Sequence, residues 1–270
     1  MKVIGIGDNV VDDYTTRRTM YPGGNALNFA VYASILGCEA AYLGVFGTDR
    51  AAEHVRKTAD GLGIDTSHCI TADGPNGRAE LKLEDGERIF LGSNEGGVAK
   101  SVPMDFVFND VDYLESFALI HTSAYSYIDP YLERLGSFGC PLSYDFSDDF
   151  DADAALALCP HVDIAFFSCA DRAESETTDL LEAASAAGAG LVAATRGASD
   201  AIVYDGTRWF RQAPVMVKPV DTLGAGDAFS AALLVNYLGS DAPQIEQALE
   251  QAARFAARIC KLEGAFGHGL

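Results

Sequence analysis

Short apolar runs alternate along the chain with longer segments in which apolar positions recur every three or four residues. The first run covers residues 1–7, and a helical pattern follows at residues 24–37. Further strand-like runs lie at 40–46, 117–121, 141–145, 162–167, 190–195 and 201–205, and further helical patterns lie at 49–61, 129–138, 151–158, 175–188, 226–238 and 243–261. Strands that alternate with helices predict an α/β fold with a parallel sheet covered by helices on both faces.

Two segments depart from this alternation. Residues 78–83 alternate apolar and polar positions, Asp85-Gly86 fits a two-residue turn, and residues 87–91 run back. This pattern predicts a β-hairpin. Residues 10–21 also alternate weakly, as an extended segment does. We expect the two segments to form a small β-lid over the ends of the main sheet, with a plain surface hairpin as the alternative.

Length and composition fit one globular domain. The chain has 270 residues, of which 49% are hydrophobic and 21% charged, so we expect a single domain over residues 1–270 whose lid spans about 10–22 and 76–98. The net charge of −20 repels phosphate backbones and anionic lipid. No run approaches the roughly 18 apolar residues of a membrane span, and the apolar start is too short for a signal peptide. We expect a cytoplasmic protein that binds neither nucleic acid nor membrane.

An apolar helix directly follows the segment Asp221-Thr222-Leu223-Gly224-Ala225-Gly226-Asp227. Its small residues let the backbone approach a ligand closely. The free N–H groups and the positive dipole end of a helix start favour an anion such as phosphate. Asp227 lies in the first turn, where a carboxylate can accept the proton of an attacking alcohol. The alternative is a tight turn that Asp227 caps.

A second glycine motif, Gly23-Gly24-Asn25-Ala26-Leu27-Asn28, opens the first long helix. Glycines at a helix start again expose backbone to a ligand, and the Asn28 amide offers a donor and an acceptor to hydroxyl groups. Asp8, Asn9 and Asp12 follow the first strand. Carboxylates and amides at the carboxyl ends of strands suit a sugar site. Helix capping by Asn25 among solvated carboxylates is the alternative.

Other site classes lack their motifs. The sequence contains no G-x-x-x-x-G-K-[ST] phosphate loop, which argues against a Walker-type nucleoside triphosphatase. The segment Gly5-Ile6-Gly7 lacks the third glycine of a dinucleotide fingerprint. The six cysteines and five histidines show no zinc-binding spacing, so a zinc hydrolase is not expected.

Together the two glycine motifs resemble the signatures of the ribokinase/PfkB family of carbohydrate kinases. Residues 23–30, followed by Gly37 and Gly47, match the N-terminal signature, and residues 221–234 match the C-terminal one. The similarity spans essentially the whole chain. It implies a ribokinase-like three-layer α/β/α domain with a mainly parallel sheet and a small β-lid.

The resemblance also implies transfer of the ATP γ-phosphoryl group to a primary hydroxyl of a sugar or sugar–amine conjugate, with Mg²⁺ held largely by phosphates and waters. Asp227 matches the general base, and Gly224, Ala225 and Gly226 match the anion hole. The residues implied to contact the sugar are Asp8, Asp12, Gly23, Gly24 and Asn28. The residues implied to contact the nucleotide are Thr195, Arg196, Gly197, Thr222, Gly224 and Gly226.

Two stretches depart from the family pattern. The family's N-x-x-E motif, which is tied to Mg²⁺ and phosphate, corresponds here to Ser168-Cys169-Ala170-Asp171. Asp171 or the nearby Glu174 is therefore the candidate metal ligand. The family's T-x-G-x-x-G appears as residues 195–200 without its second glycine. Arg196 is expected to pair with a nucleotide phosphate, with a plain surface arginine as the alternative.

Within the family, the chain is most similar to fructoselysine 6-kinases, which phosphorylate Amadori products. The shared features are residues 7–12, Asp145-Phe146-Ser147 and residues 209–214, and Arg88 occupies a similar place on the lid hairpin. The substrate of that subgroup carries an ammonium, for which Asp8 or Asp13 is the expected partner. Another sugar or nucleoside kinase is the first alternative, and a sugar- or nucleotide-binding regulator without turnover is the second.

The lid hairpin also bears on assembly. Leu81, Leu83, Ile89 and Leu91 are expected to form one apolar lid face, which sugar, the body of the domain or a partner must cover. A homodimer through the lid is one of these possibilities.

Overall fold

A computed structural model describes residues 1–84, 87–240, 242 and 244–270, without the side chains of residues 83, 84, 87 and 88. The strands are β1 (Lys2–Gly7), β2 (Val10–Tyr14), β3 (Thr19–Gly23), β4 (Glu39–Phe46), β5 (Ile70–Thr71), β6 (Gly77–Glu84), β7 (Glu87–Ser93), β8 (Leu119–Ser123), β9 (Leu142–Asp145), β10 (Ile164–Ser168), β11 (Leu191–Arg196), β12 (Ser199–Tyr204) and β13 (Trp209–Gln212). The helices are α1 (Asn25–Ile35), α2 (Arg50–Gly61), α3 (Val111–Glu115), α4 (Leu132–Leu135), α5 (Ala152–Leu158), α6 (Glu174–Ala187), α7 (Ala225–Leu238) and α8 (Ile245–Ile259).

The main sheet has the strand order β13-β12-β11-β10-β9-β8-β1-β4-β5 across the described residues. The strands from β11 to β5 are parallel, and β12 and β13 are antiparallel at one edge. The predicted mainly parallel sheet is confirmed. All the parallel strands therefore end at the same edge, and the loops that follow them meet there.

Helices cover both faces of this sheet, which confirms the three-layer prediction. Val3 packs into the core beneath α1, α2, α7 and α8. The next residue, Ile4, packs into the core beneath α4, α5 and α6. Because successive strand residues point to opposite faces and both faces are buried, these strands appear in the sequence as continuous apolar runs.

A separate small sheet, with the order β3-β2-β6-β7, confirms the second part of the predicted fold. Strands β2 and β6 are parallel, and the outer pairs are antiparallel. Val11 on one face is buried in the core near α2, and Tyr14 on the other face is buried against Tyr21 and Leu81. The predicted Asp85-Gly86 turn lies outside the described residues. The division into one domain with these lid boundaries stays a prediction.

The predicted apolar face of the hairpin is wrong at Ile89. Leu81 pairs with Phe90 and Lys82 pairs with Ile89, and a β-bulge between Glu80 and Leu81 leaves Leu91 without a directly opposed residue. Directly opposed residues share a face of the sheet. Phe90, and not Ile89, therefore lies on the face of Leu81. The exposed side chain of Ile89 lies on the other face, and the homodimer through the lid stays a prediction.

Some elements are shorter than the sequence predicts, and others were not predicted. The helical pattern at 129–138 is a single turn, α4, between two 3-10 turns that contain Pro130 and Gly136. Helix α8 begins at Ile245, and Pro243, its predicted start, lies outside the described residues. Strand β13 was not predicted because Phe210 is the only buried residue in it. In the described part of the chain, no helix combines the length and apolar character needed to cross a membrane.

Candidate active site

A cavity of about 340 Å³ lies between the small sheet and the carboxyl ends of the parallel strands. The residues that follow β1, β8 and β9 contribute to its wall, as do the first turns of α1 and α7. The charged side chains among its described lining residues are Asp8, Asp12, Arg78, Glu95, Asp145 and Asp227. Arg78 forms an ion pair of 2.7 Å with Asp13. The cavity thus holds five carboxylates and one guanidinium that already has a partner.

Asp8 holds the start of α1 in place. Its carboxylate oxygens accept hydrogen bonds from the backbone N–H groups of Asn25 at 2.7 Å and Ala26 at 3.1 Å. The hydroxyls of Ser123 and Ser126 also donate to Asp8, each at 3.1 Å. Asp8, and not the Asn25 side chain, satisfies the free N–H groups of this helix. These four hydrogen bonds engage the Asp8 carboxylate, which was one of the two expected partners for a substrate ammonium.

The side chain of Asn25 bridges two buried carboxylates instead of capping the helix. Its Nδ2 donates to Asp145 Oδ2 at 3.0 Å and to Asp227 Oδ1 at 2.9 Å. Its Oδ1 lies 2.9 Å from His121 Nε2, and His121 Nδ1 lies 3.1 Å from Ser143 Oγ. Because an amide oxygen can only accept, His121 carries its proton on Nε2. Burial lowers the pKa of His121 to about 3, so a neutral imidazole fixes the orientation of Asn25.

Burial, and after it the negative charge of Asp145, raises the pKa of Asp227 to about 7. Burial is also the largest cause that raises the pKa of Asp145 to about 6. Asn25 and Asn28 act in the opposite direction on Asp227, because their amide N–H groups stabilise the ionised carboxylate. A carboxylate with a pKa near neutrality is suited to accept and release a proton.

Asp227 lies in the first turn of α7 and does not cap it. The N-cap is Gly224, whose φ of 72° lies in the left-handed region. A Cβ on Gly224 would approach Tyr32 Oη to 2.4 Å, so the fold itself requires glycine there. A Cβ on Gly226 would meet only Thr195 Oγ1, at 4.0 Å. The space beside Gly226 is thus left open by the protein, next to the N–H groups of a helix start.

The remaining predicted sugar contacts lie around the same cavity. Asp12, Gly24 and Asn28 line it, and Gly23 makes room for Asp12, because a Cβ on Gly23 would approach Asp12 Oδ2 to 2.3 Å. Asn28 Nδ2 donates to Asp227 Oδ2 at 2.6 Å. Asn28 Oδ1 is buried and has no hydrogen-bond partner among the described residues. A buried acceptor without a partner at a cavity wall is suited to a ligand hydroxyl.

A second cavity, of about 540 Å³, lies on the other side of Gly226. Five of the six residues predicted to contact the nucleotide line it: Thr195, Arg196, Gly197, Thr222 and Gly226. Its apolar wall includes Val215, Met216, Phe229 and Ala256. Arg196 is the charged residue among the described lining residues, and its buried Nε has no partner among them. An apolar groove with one guanidinium fits a nucleotide base and a phosphate.

The comparisons with known proteins agree with this geometry. Residues 1–266 match the model of the pfkB family carbohydrate kinases. A fructosamine kinase (FrlD) of Bacillus subtilis (strain 168) is 42% identical over 270 residues, which are 100% of this chain and 94% of the relative. The chain belongs to the pfkB family of carbohydrate kinases.

A second relative and a solved structure extend the match. A fructoselysine 6-kinase of Escherichia coli (strain K12) is 33% identical over 97% of this chain and 98% of the relative. An Arabidopsis thaliana ribokinase, solved with ribose and ATP, superposes with a TM-score of 0.81 at 19% identity over 98% of this chain and 94% of that chain. The protein is thus a carbohydrate kinase with a ribokinase-like fold.

The candidate metal ligands of this kinase are not gathered around a common point. Glu174 Oε1 lies 2.6 Å from the Arg211 guanidinium, and Glu174 Oε2 lies 3.3 Å from that of Arg196. Arg211 is the main cause that holds the pKa of Glu174 below its usual range. Asp171 is exposed. Among the described residues, no group of three or more histidines, cysteines or acidic residues could enclose a metal ion.

Asp13 and Arg88 are the two remaining residues that were predicted on the sugar side of this kinase. Asp13, the other expected ammonium partner, pairs with Arg78 and is not among the described lining residues of the first cavity. The side chain of Arg88 lies outside the described residues, so its role stays a prediction.

Sequence reasoning missed two parts of the hydrogen-bond network around Asp227. Asn25 was weighed as a helix cap, and His121 was not singled out at all. His121 lies in β8, between β1 and β9, so its contact with Asn25 depends on the strand order. A histidine in an apolar strand is a weak signal, because most such residues are satisfied core side chains.

Proposed function

We propose that this kinase transfers the γ-phosphoryl group of ATP to the primary 6-hydroxyl of a fructosamine, with fructoselysine as the favoured substrate. The observation that carries this proposal is the acidic lining of the first cavity. Five carboxylates line it, of which Glu95 pairs with Lys100, and the one guanidinium among the described lining residues is already paired with Asp13. This acidic wall attracts a sugar with an ammonium group more strongly than a neutral sugar. The names of the two relatives, a fructosamine kinase and a fructoselysine 6-kinase, support the same substrate class.

Asp227 is the proposed general base. Asn25 and Asn28 each donate to one oxygen of its carboxylate, which fixes its orientation and leaves each oxygen a further lone pair for a proton. The 6-hydroxyl gives its proton to Asp227 as its oxygen bonds to the γ-phosphorus, the bond from that phosphorus to the β–γ bridging oxygen breaks, and ADP leaves. The N–H groups at residues 224–226 stabilise the charge on the transferred phosphoryl oxygens.

The residues present fit ATP with Mg²⁺. The buried Arg196 Nε without a described partner and the open space beside Gly226 are both suited to phosphate oxygens. Mg²⁺ commonly keeps several waters and binds through substrate phosphates, so it does not require an enclosing group of protein ligands. When bound, it would neutralise phosphate charge, with Asp171 as the candidate side chain that reaches it through water.

The test is an ADP-release assay with Mg·ATP and a panel of acceptors: fructoselysine, other fructosamines, fructose, ribose, adenosine and no sugar. We expect kcat/KM for fructosamines to exceed that for fructose by about 10² or more, because the acidic cavity wall attracts a cationic substrate. Equal kcat/KM for fructose and fructoselysine would refute the ammonium argument. Turnover of ribose or adenosine alone would replace the substrate class and leave the kinase mechanism in place.

A further inference from the structure

Three aromatic side chains surround the mouth of the first cavity, and we name Phe90, Tyr125 and Tyr127 the aromatic rim. We propose that the aromatic rim is a separate subsite that binds the amine substituent of the ketosamine, namely the hydrocarbon chain and terminal charge of a fructosyl amino acid. This inference rests on the proposed function, because it requires a substrate with a substituent on the sugar nitrogen. All three residues line the cavity.

A bound ligand would account for the exposure of the three rim residues. Phe90, Tyr125 and Tyr127 are 62%, 49% and 38% exposed. A single exposed aromatic residue is ordinary, but these come from two distant segments, β7 and the loop after β8, and converge on one cavity. Phe90 lies directly opposite Leu81 and lines the cavity together with Ala79 of the neighbouring strand β6. Large apolar surfaces at the edge of a polar sugar site favour an apolar extension of the substrate.

The two tyrosines are held so that their ring faces stay available. Tyr127 has a φ of 55°, a strained value for an aromatic residue, and its hydroxyl donates to the Glu95 carbonyl oxygen at 2.5 Å. Tyr125 donates from its hydroxyl to Asp148 Oδ1 at 3.2 Å. It also accepts from Ser147 Oγ at 3.1 Å. With the hydroxyls engaged, the rings offer the substrate their apolar faces.

Charge at the rim fits the far end of an amino-acid substituent. The Asp148 carboxylate is exposed next to Tyr125 and accepts a hydrogen bond from the Tyr125 hydroxyl. Its Oδ1 also lies 3.0 Å from Ser147 Oγ. An ammonium group is attracted both by a carboxylate and by the face of an aromatic ring. The nucleotide groove, in contrast, opens on the other side of Thr195 and Gly226, so ATP does not require the rim.

The test compares two substrates that differ only in the substituent: fructoselysine and unsubstituted 1-amino-1-deoxyfructose. Both carry an amino group on carbon 1, so the cavity carboxylates treat them alike. We expect Phe90→Ala and Tyr125→Ala to lower kcat/KM for fructoselysine roughly tenfold and to change it for the unsubstituted amine less than twofold. Tyr125→Phe keeps the ring and is expected to retain most of the fructoselysine activity.

The matched control is Trp209→Ala, because Trp209 is also 38% exposed but stacks on Tyr204 and lines neither cavity among the described residues. Thermal denaturation of each variant identifies any loss of folding. Equal losses on both substrates, or no loss in either rim variant, would overturn the subsite and leave the fructosamine kinase intact. A wild-type enzyme that phosphorylates neither amine would overturn the proposed function and the subsite with it.

Discussion

The two cavities differ sharply in charge. Five carboxylates line the sugar-side cavity, whereas the described lining residues of the nucleotide-side cavity include no carboxylate and one arginine, Arg196. An acidic groove would repel the phosphates of ATP, and a neutral or basic cavity would not favour a cationic sugar. Under the proposed function, this difference in charge would separate the two substrates before any specific contact is made.

The border between the cavities is narrow and is formed by residues that suit phosphoryl transfer. Ser168, Thr195 and Gly226 line both cavities. Asp227 lies next to this border on the acidic side, with a raised pKa. The charge of the lining therefore changes within one helical turn, at the place where the proposed reaction brings a sugar hydroxyl and the γ-phosphorus together.

The largest expected effect comes from removal of the base. Asp227→Ala is expected to lower kcat by about 10²–10⁴-fold with little change in the KM for ATP, because the hydroxyl proton loses its acceptor while the nucleotide groove is unchanged. Steady-state ADP release measures both constants. Asp179→Ala, an exposed position on α6, is the matched control. Retention of wild-type kcat in the Asp227 variant would remove this residue from the mechanism.

The second prediction distinguishes the roles of two neighbouring glycines, Gly224 and Gly226. Gly226→Ala is expected to lower kcat about 10²-fold, because the new methyl group fills space that the protein leaves open for the phosphoryl group. Its stability should be equal or up to about 1 kcal/mol higher, since alanine favours a helix. Gly224→Ala should instead lose about 1–3 kcal/mol of stability, because its φ is positive and Tyr32 is in the way.

Thermal denaturation together with ADP release distinguishes the two glycines. An active Gly226→Ala enzyme would show that no ligand uses the space beside residue 226. A Gly224→Ala variant as stable as the wild type would show that Tyr32 and the helix start can adjust.

The third prediction concerns the acidic limb of the pH profile. Asp227 has a pKa of about 7 and must be ionised to accept a proton, so kcat/KM for the sugar should rise with pH up to about pH 7. Asp145→Asn removes a negative charge that raises this pKa, so the limb should move to lower pH by about one unit. The titration of ATP is the same for both enzymes and cancels in the comparison. An unmoved limb would show that another group controls it.

The same raised pKa has a consequence for stability. Between about pH 4 and pH 7 the folded protein keeps a proton on Asp227 that the unfolded chain, with the ordinary pKa of 3.8, has released. The free energy of unfolding should therefore fall as pH rises through this range and level off above it. Asp227→Asn removes this contribution, so we expect its Tm at pH 8 to exceed that of the wild type. Identical dependence of Tm on pH in the two proteins would refute the raised pKa.

The sequence was sufficient where the chemistry depends on local spacing. The two glycine motifs place Asn28 and Asp227 in the first turns of two helices, and the structure shows why: Gly224 is required by its left-handed backbone and Gly24 by its own φ of 107°. The order of strands and helices likewise follows from apolar periodicity, which is a property of each segment alone.

The sequence was insufficient where contacts depend on which strands are neighbours. His121 and Asp145 reach Asn25 from strands that lie far away along the chain. Glu174 looked available for a metal ion because Arg211, its partner, is 37 residues away.

The smallest expected effect tests the nucleotide side. Glu174 is shared by Arg196 and Arg211, and it is exposed, so its ion pairs add little to stability. Glu174→Gln should therefore change the Mg²⁺ concentration for half-maximal activity less than about twofold, since a metal held by phosphates and waters does not need this carboxylate. Titration of Mg²⁺ at fixed ATP measures this value. A tenfold rise in this Mg²⁺ concentration would show that Glu174 is a metal ligand after all. The nucleotide groove would then contain a negative charge as well as Arg196 when the nucleotide binds.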